Sequence, residues 1–501
     1  MTDAARTHTT AFVLAGGGTK GSFEVGALQY LVGVERITPD IVTGTSAGAI
    51  AATVLAQART LPEFEQRVQE IEDDILAMSR IEHVFGEQAW LRALSGTSLG
   101  GAIQFALTEG TRPSVPDRPY EGVSGAAPEA LATGAASGAA TGVSGAQQSP
   151  RSQRRSERVA RRHRRRQLFR LIAGATFRLP KARRKLRTSG SSVMNLQPLG
   201  DALRHGGQSG IRPVNQELIA RPGLQLRLAV TALRAGVLRY VTEDGTIVED
   251  DARTPAPGKS AGPVDLVDGA MASASVPLVF PPHAMADDDY VDGGVLQLIP
   301  VRAAVQLGAK RIIAIVAMPL ALPRDERNYA QGSAAHVGLR AMGMIGIADR
   351  QRENLNTPLP AGTSLVTIDP LVDVVGLFEI EPGLMRINKD YGWLRAADLL
   401  AEGDADMVAD LAAQTHVLIQ ARLRAWHLEE TLWAAGRTAA GPDAGSLALL
   451  RDLKGEVAAV VERRKQLGFP VPQGCERWWT DYEVHGGLRP GNLPPCPALR
   501  H

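Results

Sequence analysis

Three short stretches carry the residue types that acyl transfer needs. "GTSAG", Gly44 to Gly48, sets Ser46 among small residues; "GGGTKG", Gly16 to Gly21, strings bare backbone amides together; "YVDGGV" holds Asp292 followed by Gly293 and Gly294. A serine hydroxyl becomes a nucleophile when a neighbouring base takes its proton, and the carbonyl it attacks develops a negative charge that needs hydrogen-bond donors. Gly-x-Ser-x-Gly is the pattern of a nucleophile elbow, whose glycines let a strand turn sharply into a helix with the serine at the bend. Gly16, Gly17 and Gly18, at the start of a helical pattern, leave N–H groups uncovered where an oxyanion can sit. Asp292 is the candidate base, since the glycines behind it permit a tight turn and close backbone approach. Asp-Gly-Gly is equally the ordinary mark of a turn, so the tripeptide alone assigns no role. His336 has the chain order of a third triad member, but it lies in the polar stretch "QGSAAHVGLR" with no strand ahead of it.

Two other anion-binding loops compete for the glycines. Gly16, Gly18 and Gly21 match the dinucleotide spacing and so point to a nicotinamide-dependent oxidoreductase, yet Asp40 precedes the second strand instead of ending it, and "GTSAG" occupies the place of the ribose-binding acid. A phosphate loop requires Gly-Lys-Ser/Thr, whereas Lys20 is followed by Gly21 and Ser22.

The elements that must position these residues follow from hydrophobic periodicity. Residues 10 to 15 predict a buried strand, 22 to 33 a helix with Phe23, Ala27, Leu28 and Leu31 on one face, and 40 to 44 a second strand. A right-handed crossover opens the loops after both strands on one edge of a parallel sheet, so the glycine loop and the elbow are expected to be neighbours. Further on, "LQLRLAVTAL" (224 to 233) and "DDYVDGG" predict strands, "DLVDGAMASAS" a helix, "VRAAVQLG" a helix closed by Gly308, and "RIIAIVAM" another buried strand. Beyond about residue 400 the period is helical, and Trp426, Trp433, Trp478 and Trp479 suit a packing layer or a cap over the site. The uncharged run from 41 to 58 contains Gly44, Thr45, Ser46, Gly48 and Gln57, a poor composition for a membrane span.

The 501 residues carry a formal charge of +2, which hides an asymmetry: between Arg151 and Arg187 stand sixteen Lys/Arg against one acid, Glu157. From about 113 to 190 the chain is Ala/Gly/Ser-rich and then Arg-rich, too poor in large apolar residues to repay its ordering entropy, so a disordered insertion is expected. The organisation expected is an α/β domain over 1–112 and 190–400, interrupted by that insertion at 113–189 and followed by a helical region at 401–501. The basic run has three readings: a cationic amphipathic segment for an anionic membrane surface, a nucleic-acid arm, or a solvated charge run. Leu168, Phe169, Leu171 and Ile172 among its arginines favour the membrane surface over nucleic acid. Two cysteines, Cys475 and Cys496, make neither a disulfide framework nor a structural zinc site and suit a reducing compartment. The N-terminus lacks the apolar length of a secretory signal, so the cytoplasm is expected, with peripheral membrane contact.

Taken in order, "GGGTKG", "GTSAG" and "DGG" resemble the three signatures of patatin-like phospholipases, and "ASASVPLVFPP" (272 to 282) is similar to the segment those proteins carry before their aspartate. The likeness covers roughly 10 to 112 and 190 to 320, and "INKDYGWLRAADL" (387 to 399) resembles a later stretch of some bacterial members. The resemblance implies a three-layer α/β/α fold with a mainly parallel sheet, and a Ser–Asp dyad in which Ser46 attacks a lipid ester and Asp292 takes and returns its proton. It implies oxyanion donors at Gly16, Gly17, Gly18 and Thr19, support from Gly21, Gly44, Gly48, Gly293 and Gly294, and no metal or cofactor. Lys20 matches the family's basic position and is expected to organise the loop. Ala15 replaces a polar residue common in relatives, a small departure where the donors are backbone groups. The activity implied is hydrolysis of phospholipid or related glycerolipid esters, of phospholipase A or lysophospholipase type. A catalytically silent lipid-binding or scaffolding protein of the same fold is the alternative.

Overall fold

The computed structural model describes residues 9–77, 86–87, 192, 194–206, 210–257, 262–277, 279–322, 330, 337, 340–341, 345–401, 403–435 and 444–484. His336, the insertion expected at 113–189 and its basic run lie outside the described residues. By spatial proximity the chain divides into Met1–Pro116 with Ser191–His501, and Asp117–Gly190; every described residue belongs to the first.

The strands are β1 (Thr10–Leu14), β2 (Ile41–Gly44), β3 (Gly86–Glu87), β4 (Met194–Asn195), β5 (Gln225–Ala232), β6 (Val237–Thr242), β7 (Ile247–Val248), β8 (His283–Met285), β9 (Asp288–Asp292), β10 (Arg311–Ile315) and β11 (Ser364–Ile368). Nine of them form one sheet in the order β11-β10-β1-β2-β5-β6-β7, with β9 joined to β5 and β8 to β9; β3 and β4 pair separately. From β11 to β5 every pairing is parallel, and β6 to β9 are antiparallel additions.

Both faces of the sheet are covered, as the unbroken apolar run of β1 requires. Successive side chains point to opposite faces, so Phe12 and Leu14 enter one core while Ala11 and Val13 enter the other. Helices α1 (Ser22–Leu28), α2 (Ala47–Leu55), α3 (Leu61–Ala77), α4 (Gln197–His205) and α5 (Leu266–Ser273) pack on the first face. Helices α6 (Val301–Gln306) and α7 (Gly346–Leu355) pack on the second. The architecture is therefore three-layer α/β/α with a mainly parallel sheet.

The helix expected over 22 to 33 is composite: a 3-10 turn, Gly18–Gly21, leads into α1, which widens into a π-type turn over Gln29–Val34. Helix α8 (Pro382–Leu400) crosses α1 at backbone contact, since a Cβ on Gly26 would lie 1.7 Å from the Lys389 carbonyl oxygen and one on Gly392 1.9 Å from that of Phe23. Edge-on aromatic pairs, Phe23 with Tyr391 and Tyr30 with Trp393, flank the crossing.

The C-terminal region is helical: α9 (Ala405–Ala435) and α10 (Ala444–Gln466) pack together and against α8. Buried guanidinium groups clamp them, with Arg422 Nε 2.7 Å from Glu483 Oε1 and Nη2 3.1 Å from Asp390 Oδ2, and Arg464 Nη2 2.7 Å from Asp398 Oδ1. Breaking such a pair would strand a buried charge. Among the described residues no helix is long and apolar enough to cross a membrane.

Candidate active site

Strand β5 uses one of its edges twice. Its first half pairs with β2, with Gly44 opposite Leu228, and its second half pairs with β9, with Asp292 opposite Val230; β6 holds the other edge from Arg227 to Ala232. Strand β9 therefore takes up the edge that β2 leaves at Gly44. Asp292 stands just past the end of β2, at the level of Ser46.

The turn that presents Ser46 is enforced by backbone contact. A Cβ on Gly44 would meet the Gly48 carbonyl oxygen at 2.4 Å, and one on Gly48 would meet that of Leu14 at 2.5 Å. Ser46 itself has φ 56° and ψ −126°, a left-handed conformation for which a non-glycine residue costs ~1–3 kcal/mol. Surrounding bonds hold it there. The Ser46 amide donates to Ser273 Oγ at 3.0 Å, and that hydroxyl donates to the Ala229 carbonyl at 2.6 Å. Thr45 donates through its N–H to the Leu14 carbonyl and through its hydroxyl to that of Gln297.

The Ser46 hydroxyl faces the buried Asp292 carboxylate and helps to hold it charged, and Asp292 Oδ1 accepts the Gly294 N–H at 2.6 Å. Burial pushes the Asp292 carboxyl up to about 6, with the nearby Ser46 hydroxyl and the Gly294 N–H opposing the rise. Its main chain is fixed as well: the Asp292 N–H donates to the Ser275 carbonyl, and the Thr231 hydroxyl donates to the Asp292 carbonyl. A Cβ on Gly293 would lie 2.3 Å from the Ala229 carbonyl oxygen, so the residue after the aspartate must be glycine.

The four expected donors of the glycine loop differ in what their amides meet. The Gly16 N–H donates to the Leu298 carbonyl at 3.2 Å and the Thr19 N–H to that of Leu377 at 3.1 Å, while the amides of Gly17 and Gly18 have no acceptor among the described residues. Of the four expected donors, the outer two amides are engaged by packing against Leu298 and Leu377. Lys20 pairs with Asp373, and the Thr19 hydroxyl donates to the Gly376 carbonyl, so the loop is pinned to the segment following β11.

Ser46, Asp292, Gly16, Gly17 and Gly18 share the wall of a cavity of about 330 Å³ that is otherwise mostly apolar, with Ile50, Val54, Leu199, Leu203, Phe280 and Phe378 among its lining. A concave apolar space with a few convergent polar groups suits a small ligand with a long apolar part. From α8 to α10 only Met385, on α8, reaches this wall among the described residues. No group of three or more His, Cys, Asp or Glu among the described residues is arranged for a metal ion.

Several contributors carry no sequence signal of their own. Ser273 lies within "ASASVP" but is marked there by nothing except its place in the motif. Glu24, on α1, is buried, and desolvation pushes its carboxyl well above the usual range. Arg350, on α7, donates from Nη1 to the carbonyls of Gly294 and Val295 at 2.8 and 2.6 Å. Both Glu24 and Arg350 line the cavity.

Among curated proteins none matches the chain. Among solved structures it is similar to VipD from Legionella pneumophila, at 14% identity over 93% of this chain and 86% of that one with a TM-score of 0.29. It is also similar to the heterodimeric ExoU–SpcU complex of the type III secretion system of Pseudomonas aeruginosa, at 16% identity over 94% of this chain and 74% of that one with a TM-score of 0.19. The family model for patatin-like phospholipase matches residues 12–305, more than half of the sequence, and the chain belongs to the patatin-like phospholipase family.

Proposed function

We propose that this protein is a serine lipid acyl hydrolase that cleaves carboxylic esters of phospholipids or related glycerolipids. The observation that carries the reading is that Ser46 and the buried Asp292 carboxylate stand together on the wall of an apolar cavity, the serine hydroxyl beside the carboxylate. Asp292 takes the hydroxyl proton as Ser46 Oγ attacks the ester carbon, and the carbonyl π electrons move onto oxygen. The N–H groups of Gly17 and Gly18 stabilise that oxyanion. Its collapse expels the lipid alcohol, which takes the proton from Asp292. Water then attacks the acyl-enzyme, with Asp292 again accepting a proton, and the fatty acid leaves as Ser46 is restored.

Within this proposal the catalytic unit spans 1–112 and 190–400, the region 401–501 braces it, and the basic run at 151–187 holds it at an anionic membrane surface, where the substrate lies. A fluorophosphonate probe tests the chemistry: Ser46 is labelled in the wild type, the Ser46→Ala variant is not, and a mixed lipid extract releases fatty acid and lysolipid only with the former. A wild type that is neither labelled nor active would leave the fold as a lipid-binding scaffold.

A further inference from the structure

Arg350 is the one cation among the described residues that line the cavity, and no carboxylate among the described residues pairs with it. The other ionisable groups on that wall, Glu24, Asp74 and Asp292, are acids. Nη1 is committed to the carbonyls of Gly294 and Val295, while Nε and Nη2 donate to nothing among the described residues. A half-buried guanidinium with part of its donor fork open, on an apolar wall, calls for an anion to complete it.

Its position sets where that anion must be. Gly294 gives its N–H to Asp292 Oδ1 at 2.6 Å and its carbonyl to Arg350 Nη1 at 2.8 Å. One residue thus separates base from cation, which places the two groups within about 9 Å of each other by the reach of a single residue. In a glycerophospholipid the ester and the phosphate hang from the same short glycerol unit.

Resting on the hydrolase reading above, we infer that Arg350 is the headgroup subsite, binding the phosphodiester of the lipid whose ester lies at Ser46, and so selects phospholipids over uncharged glycerolipids. The open fork donates two charge-assisted hydrogen bonds to the phosphate oxygens, in a place where an uncharged glycerol would leave the cation unpaired.

The test is a selectivity ratio measured on the full chain. Lysophosphatidylcholine and a monoacylglycerol of the same acyl chain are presented in the same neutral detergent micelles. Arg350→Gln is expected to lower kcat/KM for the phosphodiester about 10- to 100-fold more than for the monoacylglycerol, with Arg350→Lys in between. Equal losses on both substrates would make Arg350 only a brace for the Asp292 turn and overturn the inference. Inorganic phosphate separates a free anion from a headgroup: competitive inhibition that Arg350→Gln relieves supports the subsite, and inhibition of equal strength in both proteins counts against it.

Binding keeps the inference open to refutation without turnover. Ether-linked lysophosphatidylcholine has no ester to cleave, and its affinity for Ser46→Ala should fall at least tenfold when Arg350→Gln is added; unchanged affinity overturns the subsite. A wild type that binds this ligand through Arg350 yet cleaves no ester would defeat the hydrolase reading alone.

Discussion

Ser46 and Asp292 stand side by side on the cavity wall, hydroxyl facing carboxylate, although the two come from strands that never pair with each other. What joins them is β5, which hands one edge from β2 to β9 between Leu228 and Val230. Because a backbone register moves in whole residues, the aspartate is delivered to the level of the serine without a third side chain to orient it.

As the proposed base, Asp292 must be ionised to accept the serine proton, and burial raises its carboxyl to about 6. The kcat/KM profile on a soluble ester is therefore expected to fall tenfold per pH unit on the acid side of about 6. An acid limb at the ordinary carboxylate value would show that Asp292 is solvated in the working enzyme.

Replacing Asp292 by Asn is expected to cost about four orders of magnitude in turnover, as for other residues that act as a unit with a nucleophile. The same change should stabilise the fold in alkaline solution. Below the unfolded value of 3.8 both states are protonated and the shift has no effect; between 3.8 and about 6 the folded state keeps a proton that the unfolded chain has lost, so stability declines, and above about 6 the whole penalty is present. By thermal unfolding, Asp292→Asn should gain of order 3 kcal/mol at pH 8, a gain that closes as pH falls towards 4. A loss of stability at pH 8 would contradict the buried-charge account.

Gly48→Ala drives a methyl group into the Leu14 carbonyl, 2.5 Å from its Cβ. The elbow cannot widen without moving β1, so a loss of about 3 kcal/mol or more is expected, together with loss of fluorophosphonate labelling. Urea unfolding measures the first, and wild-type stability in the variant would sink the contact.

Ser273→Ala leaves the Ser46 N–H without its acceptor and the Ala229 carbonyl without its donor, both buried. A cost of about 1–3 kcal/mol follows, and kcat should fall more than KM changes, because the strained serine loses its tether while the cavity keeps its lining. Ser273→Cys, which keeps a weak donor and acceptor at the same place, should recover part of both; identical behaviour of the two variants would mean that the hydroxyl is not the tether.

Deleting 151–187 removes sixteen basic residues and one acid. Vesicle sedimentation should show weaker binding to anionic membranes, with about 1 kcal/mol lost for each basic group that lies at the surface, while turnover of a soluble ester persists. Vesicle binding at wild-type strength would remove the membrane role from this segment.

By itself the sequence determined everything that is settled within a few residues: the β1–α1–β2 order, the strand-to-helix turn at Ser46, and the glycines that such a turn demands. Periodicity and turn sterics depend on chain neighbours, so spacing reveals them. Only the tertiary structure decided which donors remain available, because the partners that take the Gly16 and Thr19 amides, Leu298 and Leu377, are remote in the chain. The same applies to the grip of Ser273 on the Ser46 amide, the buried carboxyl of Glu24 and the place of Arg350. Whether a polar group is spent, unpaired or aimed at a cavity depends on what packs against it from elsewhere, and no local pattern records that.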